Sequence, residues 1–135
     1  MTLARLHRAQ IEHIALATND LERLCDFYGL LGPVASPPLT DLDTGVRSRV
    51  LDFCGVRLEL LELSGSRGTT AGGERLPGLS HIGFALGSAD AVDELSRVIA
   101  AAGYRVLEPP HRAGTLGRYE SVVVDPDGNR VMLTV

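Results

Sequence analysis

The sequence contains two copies of one pattern, and this internal repeat constrains the fold more than any other feature. Residues 48–61 (SRVLDFCGVRLELL) align without a gap with residues 121–134 (SVVVDPDGNRVMLT). Earlier in each half, the chain reads HIALA from His13 and HIGFA from His81. Because 135 residues are too few for two ordinary domains, the repeat predicts one domain made of two similar modules.

Each half begins with an alternating strand pattern that is followed by a helix pattern. Asp20 is expected to cap the first helix, because apolar residues recur at helical spacing directly after it. Ser88 or Asp90 is expected to cap the second helix, and Gly103 stands where a helix would end. The order of strand and helix is therefore the same in both halves.

Later in each half, an Asp-to-Gly turn joins two β-rich runs, which predicts a hairpin. Between helix and hairpin stand Pro37-Pro38 and Pro109-Pro110, which we expect to end regular structure and begin a loop. We expect an α+β fold with one module over about 11–63 and the other over about 80–135. A glycine-rich stretch, 64–78, would connect them.

Strand alternation divides the predicted first strand of each module into two faces. His13, Ala15 and Ala17 share one face, and His81 and Gly83 share the equivalent face in the second half. The opposite faces are bulky and apolar and suit packing against a helix. Because a histidine followed by small residues leaves space in front of a sheet, these faces predict a cavity that contains two imidazoles.

Two further positions join the histidines by the same alternation. Glu59 and Arg57 are expected on the cavity face, and the internal alignment places Met132 at the position equivalent to Glu59. Two imidazoles and a carboxylate predict a divalent-metal site formed by His13, Glu59 and His81, suited to Zn, Ni, Mn or Fe. Met132 is expected to fill the cavity rather than to bind metal.

Other acidic residues are expected to be structural. Glu62 is an odd number of residues from Glu59, so it should face away from the cavity and be solvated. The acidic residues of Asp125-Pro126-Asp127-Gly128 are typical of a turn.

Composition excludes several classes of function. A net charge of −4 with few aromatic residues argues against nucleic-acid binding. All thirteen basic residues are arginines, which excludes Schiff-base chemistry.

No apolar run reaches spanning length and the first ten residues do not resemble a secretory signal, so a cytoplasmic protein without membrane contact is expected. Cys25 and Cys54 lack the spacing of a metal or redox pair and are expected to be reduced thiols.

Four segments resemble the vicinal oxygen chelate superfamily, which includes glyoxalase I, bleomycin-resistance proteins and extradiol dioxygenases: IEHIALATNDLERLCDFY, RLELLEL, LSHIGFAL and VVVDPDGNRVML. The resemblance implies two tandem βαβββ modules that form a half-open curved sheet around a central cavity, commonly completed in a homodimer. In glyoxalase-like members the metal ligands occupy the positions of His13, Glu59, His81 and Met132. The last position normally holds a carboxylate, so Met132 departs from the pattern.

Two functions follow from this resemblance. The first is a metal-assisted lyase or isomerase acting on a small molecule, in which Glu59 moves a proton. The alternative is a metal-free protein that binds or sequesters a small molecule, as bleomycin-resistance proteins do; the departure at Met132 favours it, and the small number of aromatic residues argues against it. A ring-cleaving dioxygenase is disfavoured, because its acidic ligand normally comes from the position that Met132 occupies.

Overall fold

A computed structural model describes residues 9–63, 78–113 and 117–135, and the predicted linker lies almost entirely outside these ranges. In chain order the elements are β1 (His13–Thr18), α1 (Leu21–Gly29), β2 (Leu39–Thr40), β3 (Arg47–Phe53), β4 (Val56–Glu62), β5 (His81–Ala85), α2 (Ala89–Ala101), β6 (Arg105–Ala113), β7 (Arg118–Val124) and β8 (Arg130–Thr134). Within the described ranges, neither helix is both long and apolar enough to cross a membrane.

The strands form two four-stranded sheets with the same topology. The strand orders are β1-β4-β3-β2 and β5-β8-β7-β6. In each sheet the first strand pairs in parallel with the last, and the remaining pairs are antiparallel. We call β1 to β4 with α1 module 1, and β5 to β8 with α2 module 2. The expected α+β fold of two tandem βαβββ modules is confirmed.

Helix α1 begins at Asp20, whose side chain accepts a hydrogen bond from the backbone N–H of Arg23 at 3.1 Å. A second carboxylate also serves this helix end. Glu62 accepts from the backbone N–H of Leu21 at 2.9 Å and pairs with Arg47 at 3.2 Å. Glu62 faces away from the predicted site as expected, but it is only partly solvated, because the unpaired N–H groups of a helix start attract a carboxylate.

Helix α2 begins at Ser88 rather than Asp90. The Ser88 hydroxyl accepts from the backbone N–H of Ala91 at 3.1 Å. Asp90 lies instead in the first turn, where its negative charge interacts favourably with the positive end of the helix dipole. Gly103 follows the helix with a φ of 92°, so the predicted glycine stop is confirmed.

Strand β6 differs from the sequence expectation. It runs through Pro109 and Pro110, which were expected to begin a loop. The strand is at the edge of its sheet, and its register with β7 shifts between Glu108 and His111. Proline cannot donate to a sheet ladder, but an edge strand with an irregular register tolerates it, because one side of the strand has no neighbour to bond.

The β3–β4 hairpin turns through two residues, Cys54 and Gly55. Phe53 pairs with Val56, and φ is 53° at Cys54 and 99° at Gly55. Positive φ at both central residues is what a type I′ turn requires. The Gly55 N–H also donates to the Asp52 carboxylate at 2.7 Å, which stabilises the turn.

Replacing Cys54 with asparagine is expected to stabilise the protein by about 0.5–1 kcal/mol, because asparagine adopts positive φ more readily than cysteine. Urea unfolding would measure the difference. Cys54→Val is the matched control and should destabilise the protein, because a β-branched side chain is strained at positive φ. Equal stability of the two variants would contradict this account of the turn.

The two modules share one hydrophobic core. Module 1 contributes to this core the side chains of α1 and of the sheet face that packs against α1. The Tyr28 hydroxyl donates to Asp125 of the β7–β8 turn at 2.7 Å. The ring of Phe27 packs edge-on against Tyr104 with the centroids 5.0 Å apart. Both α1 aromatic side chains are fully buried. The opposite faces of the sheets therefore point away from the junction of the modules.

Candidate functional site

The face of module 1 that points away from α1 is called here the open face of module 1. It carries all the site residues predicted in this half: His13, Ala15, Ala17, Arg57 and Glu59. In the register of β1 and β4, Ala15 lies beside Glu59, and His13 lies beside Arg57. The small Ala15 side chain leaves the space next to the half-buried Glu59 carboxylate unfilled.

Module 2 presents an equivalent open face. Gly83 lies beside Met132 and His81 beside Arg130, in the same register as their counterparts in module 1. A Cβ atom placed on Gly83 would meet no described heavy atom within 4 Å, so this face is uncovered there. The structure therefore makes Met132 the positional equivalent of Glu59, as the internal alignment predicts.

In both histidines the ring nitrogen Nδ1 contacts the side chain of the preceding residue. Nδ1 of His13 contacts the carboxylate of Glu12, and Nδ1 of His81 lies 3.1 Å from the hydroxyl of Ser80. An ionised carboxylate can only accept, so Nδ1 of a neutral His13 carries the proton and Nε2 presents a lone pair. Side-chain partners of this kind orient an imidazole that binds through its other nitrogen. Sequence reasoning missed Glu12 and Ser80, although each directly precedes its histidine.

Exposure separates the imidazoles from the other two site residues. The His13 side chain is 51% exposed and His81 is exposed, whereas Glu59 and Met132 are half-buried. The carboxylate of Glu12 contacts both His13 and Arg57, so the first half contains a group of one imidazole, one guanidinium and one carboxylate. The open face of module 1 is therefore the more polar of the two.

Within the described part of one chain, the predicted metal ligands do not lie together. Among the residues that the structure describes, no three His, Cys, Asp or Glu side chains converge closely enough to bind an ion. Strands β1 and β5 belong to separate sheets. The predicted residues therefore form two groups, His13 with Glu59 on one open face and His81 with Met132 on the other, which we call the two half-sites.

The cavity in the chain also differs from the one that the sequence predicts. A space of about 690 Å³ lies between the modules and is lined mainly by apolar residues. Arg57 and Gly83 border this space, whereas Ala15, Ala17 and Met132 do not line it. Ala15 and Ala17 lie on the open face of module 1, whereas most of the wall of this space is formed by bulky apolar residues of the helix-packed faces.

One buried polar contact joins the modules, and the sequence did not reveal it. The Asp125 carboxylate, 3% exposed, accepts from the Tyr28 hydroxyl and from three groups of its own turn. Burial, followed by the nearby Asp125 charge, raises the pKa of the Tyr28 hydroxyl. The interpretation of the Asp125 segment as a turn is confirmed, and its carboxylate also anchors α1.

Comparison with known proteins supports the fold assignment. The family model for the Glyoxalase/Bleomycin resistance protein/Dioxygenase superfamily matches residues 10–133. A search of curated proteins found no match.

Solved structures share the fold at low sequence identity. A glyoxalase family protein from Enterococcus faecalis is 20% identical, with a TM-score of 0.74 over 93% of this chain and 97% of that one. Glyoxalase I from Leishmania major is 20% identical, with a TM-score of 0.71 over 94% of this chain and 86% of that one. Glyoxalase I from Zea mays is 20% identical, with a TM-score of 0.75 over 93% of this chain but only 44% of the maize chain. With a family model that spans nearly the whole chain and two βαβββ modules in matching register, the protein belongs to the Glyoxalase/Bleomycin resistance protein/Dioxygenase superfamily.

Proposed function

We propose that the protein is a glyoxalase-like enzyme, a lyase or isomerase that moves a proton on a small molecule. The observation that carries the proposal is the matching register of the two half-sites. His13 and Glu59 on one open face have the same relation as His81 and Met132 on the other. A histidine occurs twice in this register, each time with an orienting partner on Nδ1. This repetition favours a functional role for the two histidines over a chance placement on the surface.

The site is proposed to form where two copies of the chain meet. A two-fold symmetric homodimer that places the open face of module 1 against the open face of module 2 of the second copy would unite the half-sites. Each such site would contain His13 and Glu59 of one chain and His81 of the other. This arrangement accounts for two open faces that carry functional side-chain types but whose described residues do not converge on a metal-binding group within one chain.

In this proposal Glu59 accepts the proton. Its half-buried carboxylate lies beside Ala15, which leaves room for a substrate carbon next to it. The lone pair on Nε2 of His13 suits a substrate hydroxyl or a divalent cation. Among the described residues of one chain no three donors lie together, so a cation would be held by His13 and Glu59 of one chain with His81 of the other, and the metal content of the dimer is the property to measure.

The experiment is a complementation test on purified heterodimers. Chains that carry His13→Ala and chains that carry His81→Ala are co-expressed with different tags, and the mixed dimer is isolated. If each site is shared between the chains, one of the two sites of the mixed dimer keeps both histidines. The mixed dimer should then bind about half of the wild-type metal, while each mutant homodimer binds almost none. Elemental mass spectrometry after loading with Zn, Ni, Mn or Fe gives the readout.

Two other results would contradict the proposal in different ways. A mixed dimer as empty as the mutant homodimers, beside a loaded wild type, would place both histidines of a site in one chain. A monomer in size-exclusion chromatography with light scattering would remove the shared site altogether.

Metal-free binding of a small molecule is the second candidate function. It is favoured by Met132, a soft thioether at the position equivalent to the Glu59 carboxylate. Against it, the aromatic strand residues Phe53, Phe84 and Tyr119 lie on the helix-packed faces, and no aromatic side chain is on either open face in the described ranges. A flat ligand would find no ring to stack on there. A wild-type dimer that binds none of the four metals would support this second function.

A further inference from the structure

We infer that the cavity between the modules is a second binding site, which takes a compact, uncharged apolar molecule. This space, called here the seam cavity, has a volume of about 690 Å³. Its walls include the apolar side chains of Ile14, Leu31, Leu58, Ile82, Phe84 and Leu86. Ligand pockets in proteins usually measure 300–1,000 Å³ and are lined mostly by such residues.

Most of the seam-cavity wall belongs to the helix-packed faces, whereas the half-sites lie on the open faces, from which Arg57 and Gly83 reach the border of the cavity. Ile14 directly follows His13 in β1, and Ile82 directly follows His81 in β5. Successive side chains of a strand point to opposite faces. A molecule in the seam cavity therefore lies against the isoleucines, and neither imidazole is among the residues that line the cavity, so the inference does not rest on the proposed function.

The polarity of the lining points to an apolar occupant. An apolar wall offers water few hydrogen-bond partners, so such a space accepts apolar molecules more readily than polar ones. Phe53 and Phe84 line the space with centroids 4.8 Å apart and remain only partly buried, so they still have apolar surface to cover. Covering this surface would favour binding through the hydrophobic effect.

The charged residues at the cavity argue for an uncharged ligand. Asp52 accepts a hydrogen bond from the Gly55 N–H at 2.7 Å, and Arg57 pairs with Glu12. Both charges at the rim are thus engaged within the chain. An ionic ligand would compete with these internal contacts, whereas an apolar molecule would leave them intact.

The direct test uses N-phenyl-1-naphthylamine, a neutral apolar dye that becomes fluorescent in an apolar site. Wild-type protein should bind the dye saturably. Ile82→Trp fills the cavity and should weaken binding by about tenfold or more. Val98→Trp makes a similar enlargement on the exposed surface of α2 and should bind the dye as wild type does. Leu86→Phe gives a second filling variant if Ile82→Trp fails to fold.

A second measurement uses Cys54, an exposed thiol that lines the cavity. Saturating dye should slow the reaction of this thiol with Ellman's reagent, and Cys54→Ser should remove the fast-reacting thiol, since Cys25 is buried. In both measurements His81→Ala should behave as wild type, which separates this site from the half-sites.

Three results would overturn the inference. The first is wild-type protein without saturable dye binding. The second is Ile82→Trp and Leu86→Phe variants that fold and bind the dye as wild type does. The third is a Cys54 thiol that is already protected without dye and becomes reactive on dilution to monomer, because a second copy would then cover the cavity.

Discussion

Replacing Asp125 with alanine is expected to lower the free energy of unfolding by about 3–5 kcal/mol. The buried carboxylate accepts from the Tyr28 hydroxyl, from the backbone N–H groups of Asp127 and Asn129, and from the Asn129 side chain. Alanine would leave these donors without their acceptor in a site closed to water. Loss of the Tyr28 contact would also loosen α1 from the β7–β8 turn.

The equivalent turn of module 1 provides a matched control. Asp52 is exposed and accepts one hydrogen bond, from Gly55. Asp52→Ala should therefore cost only about 0.5–1.5 kcal/mol. Urea unfolding of both variants measures the comparison. Similar losses for Asp125→Ala and Asp52→Ala would show that the buried carboxylate is no more important than the exposed one.

Stability is expected to fall steeply above pH 10, by about 1.4 kcal/mol per pH unit from Tyr28. The ordinary pKa of a tyrosine hydroxyl is 10.0, and burial together with the Asp125 charge raises the pKa of Tyr28 in the folded protein. Above pH 10 the unfolded chain loses this proton while the folded chain keeps it. The folded state then binds more protons, so raising the pH favours unfolding. Below pH 10 the contribution is fully present.

Denaturation measured between pH 8 and about pH 11.5 tests this dependence. Tyr28→Phe should remove most of the slope, at a cost of about 1–2 kcal/mol at neutral pH from the lost hydrogen bond. Tyr119→Phe is the control, because the Tyr119 hydroxyl bonds Asp93 at the exposed surface, where solvent screens the interaction. If Tyr28→Phe keeps the wild-type slope, another group causes the alkaline loss.

Local features of the fold could be predicted because they depend on near neighbours in the chain. Asp20 caps α1 because its side chain reaches an N–H three residues away, and Gly103 ends α2 because it adopts positive φ. The Cys54-Gly55 hairpin follows from a two-residue turn between alternating runs. Pro109 and Pro110 misled the prediction, since a proline pair usually breaks structure and its position on an edge strand depends on the whole sheet.

Contacts between distant residues could not be predicted in the same way. Glu62 reaches the start of α1 only because β4 lies beside β1, and Tyr28 reaches Asp125 only because the two modules share a core. Neither contact has a signature in local periodicity. Both depend on strand order and on the packing of one module against the other.

The sequence by itself determined which side chains share a face. A period of two in the strands places His13 with Glu59 and His81 with Met132, and the repeat makes these pairs equivalent. Only the tertiary structure decided how the faces are arranged. The helix-packed faces join in one core because their side chains are the bulky apolar ones, so the open faces point apart and the apolar seam cavity forms between the modules. Periodicity assigns a residue to a face, but the packing of whole modules decides which faces meet.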